Sequence, residues 1–298
     1  MTEITGRTAV VTGGGSGIGM GLAQALAREG ARVAVADIMI GNAQKVADAI
    51  RSEGGAAIAV ECDVCERASI AAMKDAVHAA FGPVQLLFAN AGATSFDPLM
   101  EMSDEDVDWI LQVNLHGVMN TTRAFLPDMI AAGEGHICAT ASMAGLLPGW
   151  IPVHAPYSAA KAGIIGLMMN LALELSEHNV HTTSYCPGGV ATGMKVNNAR
   201  YRPPRFGGPA DEAPLHVGEE SAAVAASHAF YTPEAIAPMV LDAVRHNRAF
   251  VFDHPDQREH FRRTYSAVVE ACYDAADEWH RDNGTPAANP HGAMLLQD

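Results

Sequence analysis

Close to its start the chain runs Thr8-Ala9-Val10-Val11-Thr12 straight into Gly13-Gly14-Gly15-Ser16-Gly17-Ile18-Gly19, and from there into the amphipathic stretch Ile18–Glu29. Strand, glycine-rich turn and helix with no spacer between them restrict the fold sharply. Glycines permit positive φ in the tight turn and let backbone approach a ligand closely. The helix that follows points unpaired N–H groups and its positive dipole end at whatever sits there, which suits a phosphate. A glycine run alone is weak evidence; a strand before, a helix after and an acidic residue about 20 positions on make it strong. Asp37 stands 20 residues after Gly17. Gly13, Ser16, Gly17, Ile18 and Gly19 are therefore the expected pyrophosphate cradle of a dinucleotide, and Asp37 the expected acceptor for ribose hydroxyls. Neither Ser16 nor Ile38 is the basic residue a 2′-phosphate would need, so the pattern favours NAD.

The same alternation continues. Strand-like runs occupy Thr8–Thr12, Arg32–Ala36, Ala56–Cys62, Val84–Ala89, Gly135–Thr140, Val180–Cys186 and Ala249–Phe252, with Ala-rich amphipathic stretches such as 43–53 and 69–81 between them. Regular β-α-β alternation predicts one doubly wound Rossmann-type α/β domain, a parallel sheet of about seven strands with helices on both faces. Its ligand is expected at the carboxyl ends of the strands. The period breaks after the sixth strand, where Pro203, Pro204, Pro209 and Pro214 interrupt a stretch without apolar rhythm. This reads as a substrate lid over about 195–230. An extra C-terminal helix is expected over about 255–281, carrying Phe261, Tyr265, Val268, Val269, Cys272 and Trp279. The domain extends to 284 and a frayed tail covers 285–298.

A net charge of −15 opposes a nucleic-acid partner. No apolar run reaches the ~20 residues of a membrane helix and no signal-like segment opens the chain, so a cytoplasmic protein is expected. The five cysteines are an odd number, and Cys62-x-x-Cys65 lacks a second ligand pair, so no disulfide framework or metal site is expected.

Tyr157 and Lys161 stand one helical turn apart behind Pro156, and so project from the same face. In a chain with six tyrosines and four lysines this spacing is seldom met by chance. The pair has a chemical rationale. Oxidising an alcohol carbon needs a base for the hydroxyl proton, and a tyrosine with an ordinary pKa of ~10 serves only beside a positive charge. Ser142, just beyond the fifth strand, is placed to hydrogen-bond the substrate oxygen.

Taken together, TGGGSGIG at 12–19, Asp37, Asp63-Val64, Asn90-Ala91-Gly92-Ala93, Asn114 in VNLHG, Ser142, YSAAK at 157–161 and PGGVAT at 187–192 resemble the NAD-preferring short-chain dehydrogenases/reductases over residues 5 to 255. The resemblance implies a catalytic tetrad of Asn114, Ser142, Tyr157 and Lys161, with Asn114 holding a water through which Lys161 relays protons. It implies that Asp63 and Val64 meet the adenine, that Asn90, Ala91 and Gly92 line the cofactor cleft, and that Pro187, Gly188, Val190 and Thr192 border the nicotinamide. Ser142 and Tyr157 are 15 residues apart, wider than the family's usual spacing, and the insert 147–154 falls between them. A substrate wall is expected from Met143, Trp150, Ile151, His154, Gly189, Met194 and lid residues such as Tyr201 and Arg205.

Segments 105–120, 200–207 and 250–261 are also similar, more loosely, to the Cα-dehydrogenases of lignin β-aryl ether catabolism. That likeness implies oxidation of a bulky aryl secondary alcohol to a ketone. A hydroxysteroid or other alcohol dehydrogenase is the alternative; an epimerase/dehydratase or a non-catalytic nucleotide-binding protein is further off. In the family's arrangement, helices over 107–132 and 156–178, with the small residues Ala159, Gly163 and Gly166, would pair copies into a homotetramer or homodimer.

Overall fold

The computed structural model describes residues 1–94, 96–147, 152–194, 200–209 and 230–284. Seven parallel strands run β1 (Thr8–Thr12), β2 (Arg32–Asp37), β3 (Ala56–Glu61), β4 (Leu86–Ala89), β5 (Gly135–Thr140), β6 (Val180–Cys186) and β7 (Phe250–Phe252). Their order in the sheet is β3-β2-β1-β4-β5-β6-β7. Every residue of β1, β4 and β5 is buried, as a parallel sheet covered by helices on both faces requires. The expected strands are all present; β4 and β7 begin one or two residues late.

The first two crossovers are α1 (Gly17–Arg28) and α2 (Ile40–Ser52), followed by α3 (Arg67–Phe81). Leu22 and Leu26 of α1 join Val33, Val35 and Val11 of the sheet and Val240 and Val244 of a later helix, α8 (Pro233–Arg245), in one buried cluster. Between β4 and β5 the chain forms α4 (Asp104–Leu111), a π-helical turn (Gln112–His116) and α5 (Gly117–Ala132). The sequence reads this stretch as one helix. A capping box starts it, Ser103 with Asp106, and Gly133 ends it in the left-handed conformation at φ +65°. After β5 come the short α6 (Met143–Leu146) and α7 (Ala155–Glu174), which has Pro156 in its first turn.

Strand succession reverses between β1 and β4: β2 and β3 lie to one side, β5 to β7 to the other. The loops leaving these two central strands diverge, and a crevice opens at their carboxyl ends. Residues Met1–Asp253 form one compact unit and His254–Asp298 a second, where the sequence reading expects a single domain to 284. The described part of the second unit is α9 (Gln257–Phe261), a π-turn (Arg262–Ser266) and α10 (Ala267–Asp282). The helical period there is as expected, but none of α10 is buried; Val268, Tyr273 and Trp279 are all more than half exposed. Apolar periodicity reports an amphipathic helix, and here it does not report a covered one. The expected tail over 285–298 lies outside the described residues.

Candidate active site

The crevice is built first by polar ties between strand ends. The Thr12 hydroxyl accepts the backbone N–H groups of Asn90 (3.0 Å) and Ala91 (3.1 Å). The Asn90 amide donates to the Thr12 carbonyl (3.1 Å), while its oxygen accepts from the Thr140 hydroxyl (3.0 Å). One side chain thus braces β1, β4 and β5 at the point where their loops part. In the turn beyond, Gly13 and Gly17 adopt φ of +63° and +49°. A Cβ on Gly19 would lie 2.1 Å from the Gly13 carbonyl, so only glycine lets α1 start this close to β1.

Asp37 ends β2 and is buried. Its carboxylate accepts N–H from Gly15 and Met39, both at 2.9 Å, one on each oxygen. Burial pushes its pKa up, and the two backbone bonds work in the other direction. Each oxygen keeps a further acceptor site. Asp37 is thus more than a solvated strand end, because the side chain is enclosed and already tied to the glycine turn.

One cavity collects the residues singled out from the sequence: Gly13, Ser16, Gly17, Ile18, Asp37, Ile38, Asp63, Val64, the run Asn90 to Gly92, Ser142, Tyr157, Lys161, Pro187, Gly188, Val190 and Thr192. Gly19 shapes the turn without lining the cavity. Trp109, Val113 and Thr140 also line it and escaped the sequence reading. Asp253 does not line it but also escaped the reading; its carboxylate accepts from the Tyr185 hydroxyl (2.7 Å) and the Gly188 N–H (2.8 Å) and fixes the loop after β6. An acidic residue directly after the last strand was the only available signal for it.

At the cavity's other end Ser142 caps α6, accepting the Ala144 N–H at 3.0 Å. That bond uses a lone pair and leaves the hydroxyl proton free to turn towards the neighbouring Tyr157 phenol. Burial pushes the Tyr157 phenol up to about 12, with the Ser142 bond opposing it. Lys161, one turn on, donates to the Thr140 carbonyl at 2.7 Å and sits 5.3 Å from the centre of the Tyr157 ring. Burial brings its pKa down to about 7.

Asn114 lies in the π-turn and is fully buried. Its amide donates to the carbonyls of Ala93 (2.7 Å) and Ile110 (2.8 Å), and its oxygen has no partner among the described residues. A Cβ on Gly92 would lie 3.0 Å from that oxygen and 3.7 Å from the Lys161 Nζ, so both polar atoms face the same small space above Gly92.

The expected substrate residues divide. Met194 lines the cavity and packs with Ile110, Ala144 and Tyr157. Met143 is buried and donates its N–H to the Pro187 carbonyl (3.0 Å), and Gly189 accepts the Tyr231 N–H (3.0 Å); both support loops and do not line the cavity. His154 does not line it either. It is stacked between Phe96 (4.7 Å between centroids) and Tyr157 (4.2 Å, 8° between planes), with Nε2 2.6 Å from the Thr94 hydroxyl. Burial, helped by the Lys161 charge, lowers its pKa to about 4. The residue before it, Val153, is held at φ +56°, a strained conformation for a β-branched side chain. Trp150 and Ile151 lie outside the described residues, as does most of the expected lid; its described part at 200–209 brings Tyr201 into the cavity wall, while Arg205 does not line the cavity, contrary to expectation, and pairs with Asp63 instead. Cys62 and Cys65 are thiols pushed up to about 12 by burial, which makes them poor nucleophiles.

A family model described as short chain dehydrogenase matches residues 7–202. Among curated proteins, a C alpha-dehydrogenase from Sphingobium sp. (strain NBRC 103272 / SYK-6) is 30% identical over 277 residues, 91% of this chain and 88% of the relative. Among solved structures, a short chain dehydrogenase/reductase from Burkholderia phymatum in complex with NAD superposes with a TM-score of 0.82 at 31% identity, over 91% of this chain and 97% of the other. A metagenomic short-chain oxidoreductase in complex with NADP is 38% identical, with a TM-score of 0.59, over 63% of this chain and 85% of the other.

Proposed function

Because the chain belongs to the short-chain dehydrogenase family, whose members are oxidoreductases with a nicotinamide cofactor, we propose that it uses NAD to oxidise a bulky, aryl-bearing secondary alcohol to its ketone, or runs the reverse. The observation that carries this reading is the convergence of Ser142, Tyr157 and Lys161 at one end of a cavity whose other end holds Asp37.

The residues fit the cofactor. Asp37 retains one acceptor site on each oxygen for the two ribose hydroxyls, and its charge opposes a 2′-phosphate. Relatives have been solved with NAD and with NADP, so the family leaves this choice to local residues, and here Ile38 and Ser16 offer a 2′-phosphate no cation. When bound, the nicotinamide supplies the hydride acceptor or donor.

The chain's own groups handle the proton. The Ser142 hydroxyl donates to the substrate oxygen and orients it against the Tyr157 oxygen, which takes the hydroxyl proton once it is a phenolate. Burial opposes a charge on Tyr157 alone and on Lys161 alone. A proton passed from the phenol to the amine creates an ion pair that neither group would form singly. To act near neutral pH the phenol must be brought well down from the value that burial imposes, and that takes electrostatic stabilisation. The Lys161 ammonium supplies part of it. The Asn114 oxygen, without a partner among the described residues and facing the same space as the Lys161 Nζ, can accept a hydrogen bond there and so support the relay without itself taking the proton. The aryl preference rests on the Sphingobium relative, which spans almost the whole chain, and on Trp109, Val113 and Met194 in the cavity wall.

The test is NAD reduction across aryl-alkyl carbinols, β-aryl ether dimers, steroids and short alcohols, in wild type and in Tyr157→Phe. We expect turnover of the bulky aryl carbinols and a loss of ~10²–10⁴-fold in Tyr157→Phe with NADH binding retained. Activity confined to short aliphatic alcohols would remove the substrate reading. A variant that keeps more than about a tenth of wild-type kcat would remove Tyr157 as the acid-base group.

A further inference from the structure

After β6 and the nicotinamide-side loop, residues 200–206 run along the cavity and are fastened at four points. The Tyr201 hydroxyl accepts from the Asn42 amide at 3.0 Å, in the helix that follows Asp37. Arg202 pairs with Asp106 of α4. Arg205 pairs with Asp63 (2.6 Å) and reaches Glu66 (3.4 Å) beyond the end of β3. Phe206 is buried, with its ring 5.3 Å from that of Trp109. Tyr201, Asp63 and Trp109 are themselves cavity wall, and Asp106 is one helical turn before Trp109. The segment therefore joins the two rims of the cavity, the Asp37–Asn42 rim and the rim made by Asp63 and α4.

The charges give this bridge a second effect. A dinucleotide brings an anionic diphosphate to a protein of net charge −15, into a site lined by Asp37 and Asp63, with Glu66 and Asp106 each one turn from the wall residues Asp63 and Trp109. Arg202 and Arg205 stand against three of these four carboxylates. With the segment in place their repulsion is offset; with it lifted, the rim is uncovered and acidic again.

We propose that residues 200–206 are a clasp across the dinucleotide, and that breaking its arginine–carboxylate pairs sets the rate at which the reduced cofactor leaves. The proposal rests on the dinucleotide reading above and is independent of the alcohol oxidised. It makes product release, not hydride transfer, the step that responds to salt, since partly exposed ion pairs weaken as ionic strength rises.

The test is stopped-flow displacement of bound NADH by excess NAD, followed by NADH fluorescence, in wild type and R202M/R205M at 0.05 and 0.5 M salt. We expect release about tenfold faster in the double variant at low salt, a wild-type rate that climbs towards it at high salt, and an unchanged single-turnover rate of hydride transfer. Release with the same rate and the same salt response in both proteins would overturn the clasp while leaving the dinucleotide reading intact. Failure of wild type to bind NADH would remove both. Should the double variant not fold, Tyr201→Phe removes only the Asn42 fastening and is expected to speed release about threefold; an unchanged rate there, with no salt response in wild type, would equally overturn the proposal.

Discussion

Lowering the pH from 7.5 to 5.0 is expected to cost this fold about 4 kcal/mol through two histidines that it holds neutral. His136 is buried in β5, its Nε2 2.8 Å from the Thr183 hydroxyl and its Nδ1 2.9 Å from that of Thr2. Burial, with His181 nearby, lowers it to about 3. His154 is brought down to about 4 by burial and the Lys161 charge. Both folded-state values lie below the ordinary 6.5, so the stability they contribute is complete above pH 6.5 and is lost as pH falls from there towards the folded values. At pH 5.0 the unfolded chain has taken up nearly one proton at each site and the folded protein almost none, worth about 2 kcal/mol per histidine. His181 is shifted in the same direction and adds to the loss. Urea unfolding at pH 7.5, 6.5, 5.5 and 5.0 measures it: the slope should approach two protons, or about 2.7 kcal/mol per pH unit, at the acid end. In a compact unit ending at Asp253 this amounts to a fall in Tm of roughly 8–16 °C. A stability flat to within about 1 kcal/mol across this range would refute the claim that the two rings stay neutral, since burial is its main support.

Two further outcomes follow from the site and the surface. Asp37→Ala with Ile38→Arg should relax or reverse the NAD preference, which in the wild type we expect to be roughly a hundredfold in kcat/KM; equal use of NAD and NADP by the wild-type protein would refute the role given to Asp37. Copies should associate as a dimer or tetramer through α7, where Gly166 is open and Met169 and Leu173 are exposed, while Gly163 is already taken by Leu115 of its own chain; a monomer in light scattering at micromolar concentration would exclude this.

What could be read from the sequence was whatever depends on local pattern. Strand runs, the glycine turn and Asp37 each carry their reason within a few residues, and the Tyr157–Lys161 spacing needs only a helix. The features that escaped depend on distant partners or on one backbone irregularity. Arg202 meets Asp106 across 96 residues and Asp253 meets Gly188 across 65, and no local period encodes either meeting. His154 sits ahead of Tyr157 in sequence as though facing a substrate. The strained Val153 precedes it, and the ring lies flat on Tyr157 instead. The α10 helix shows the converse: its apolar stripe is plain in the sequence, and what would cover it is not written there.

The π-turn at 112–116 carries a consequence of a different kind. A π-turn is one residue more than an α-helix needs, and it interrupts an otherwise continuous run from Asp104 to Ala132. Losing a single codon there would let the helix close into regular α-form. The wide turn already absorbs its extra residue without changing which faces the flanking helices present, so the lesion falls on the turn itself, and the bonds from Asn114 to Ala93 and Ile110 that it holds in place would be lost. A mutational library built from in-frame single-residue deletions should therefore contain, at this one place, members that unfold at higher temperature and turn nothing over. In this stretch, selection for thermal resistance and selection for turnover would keep genes of different length.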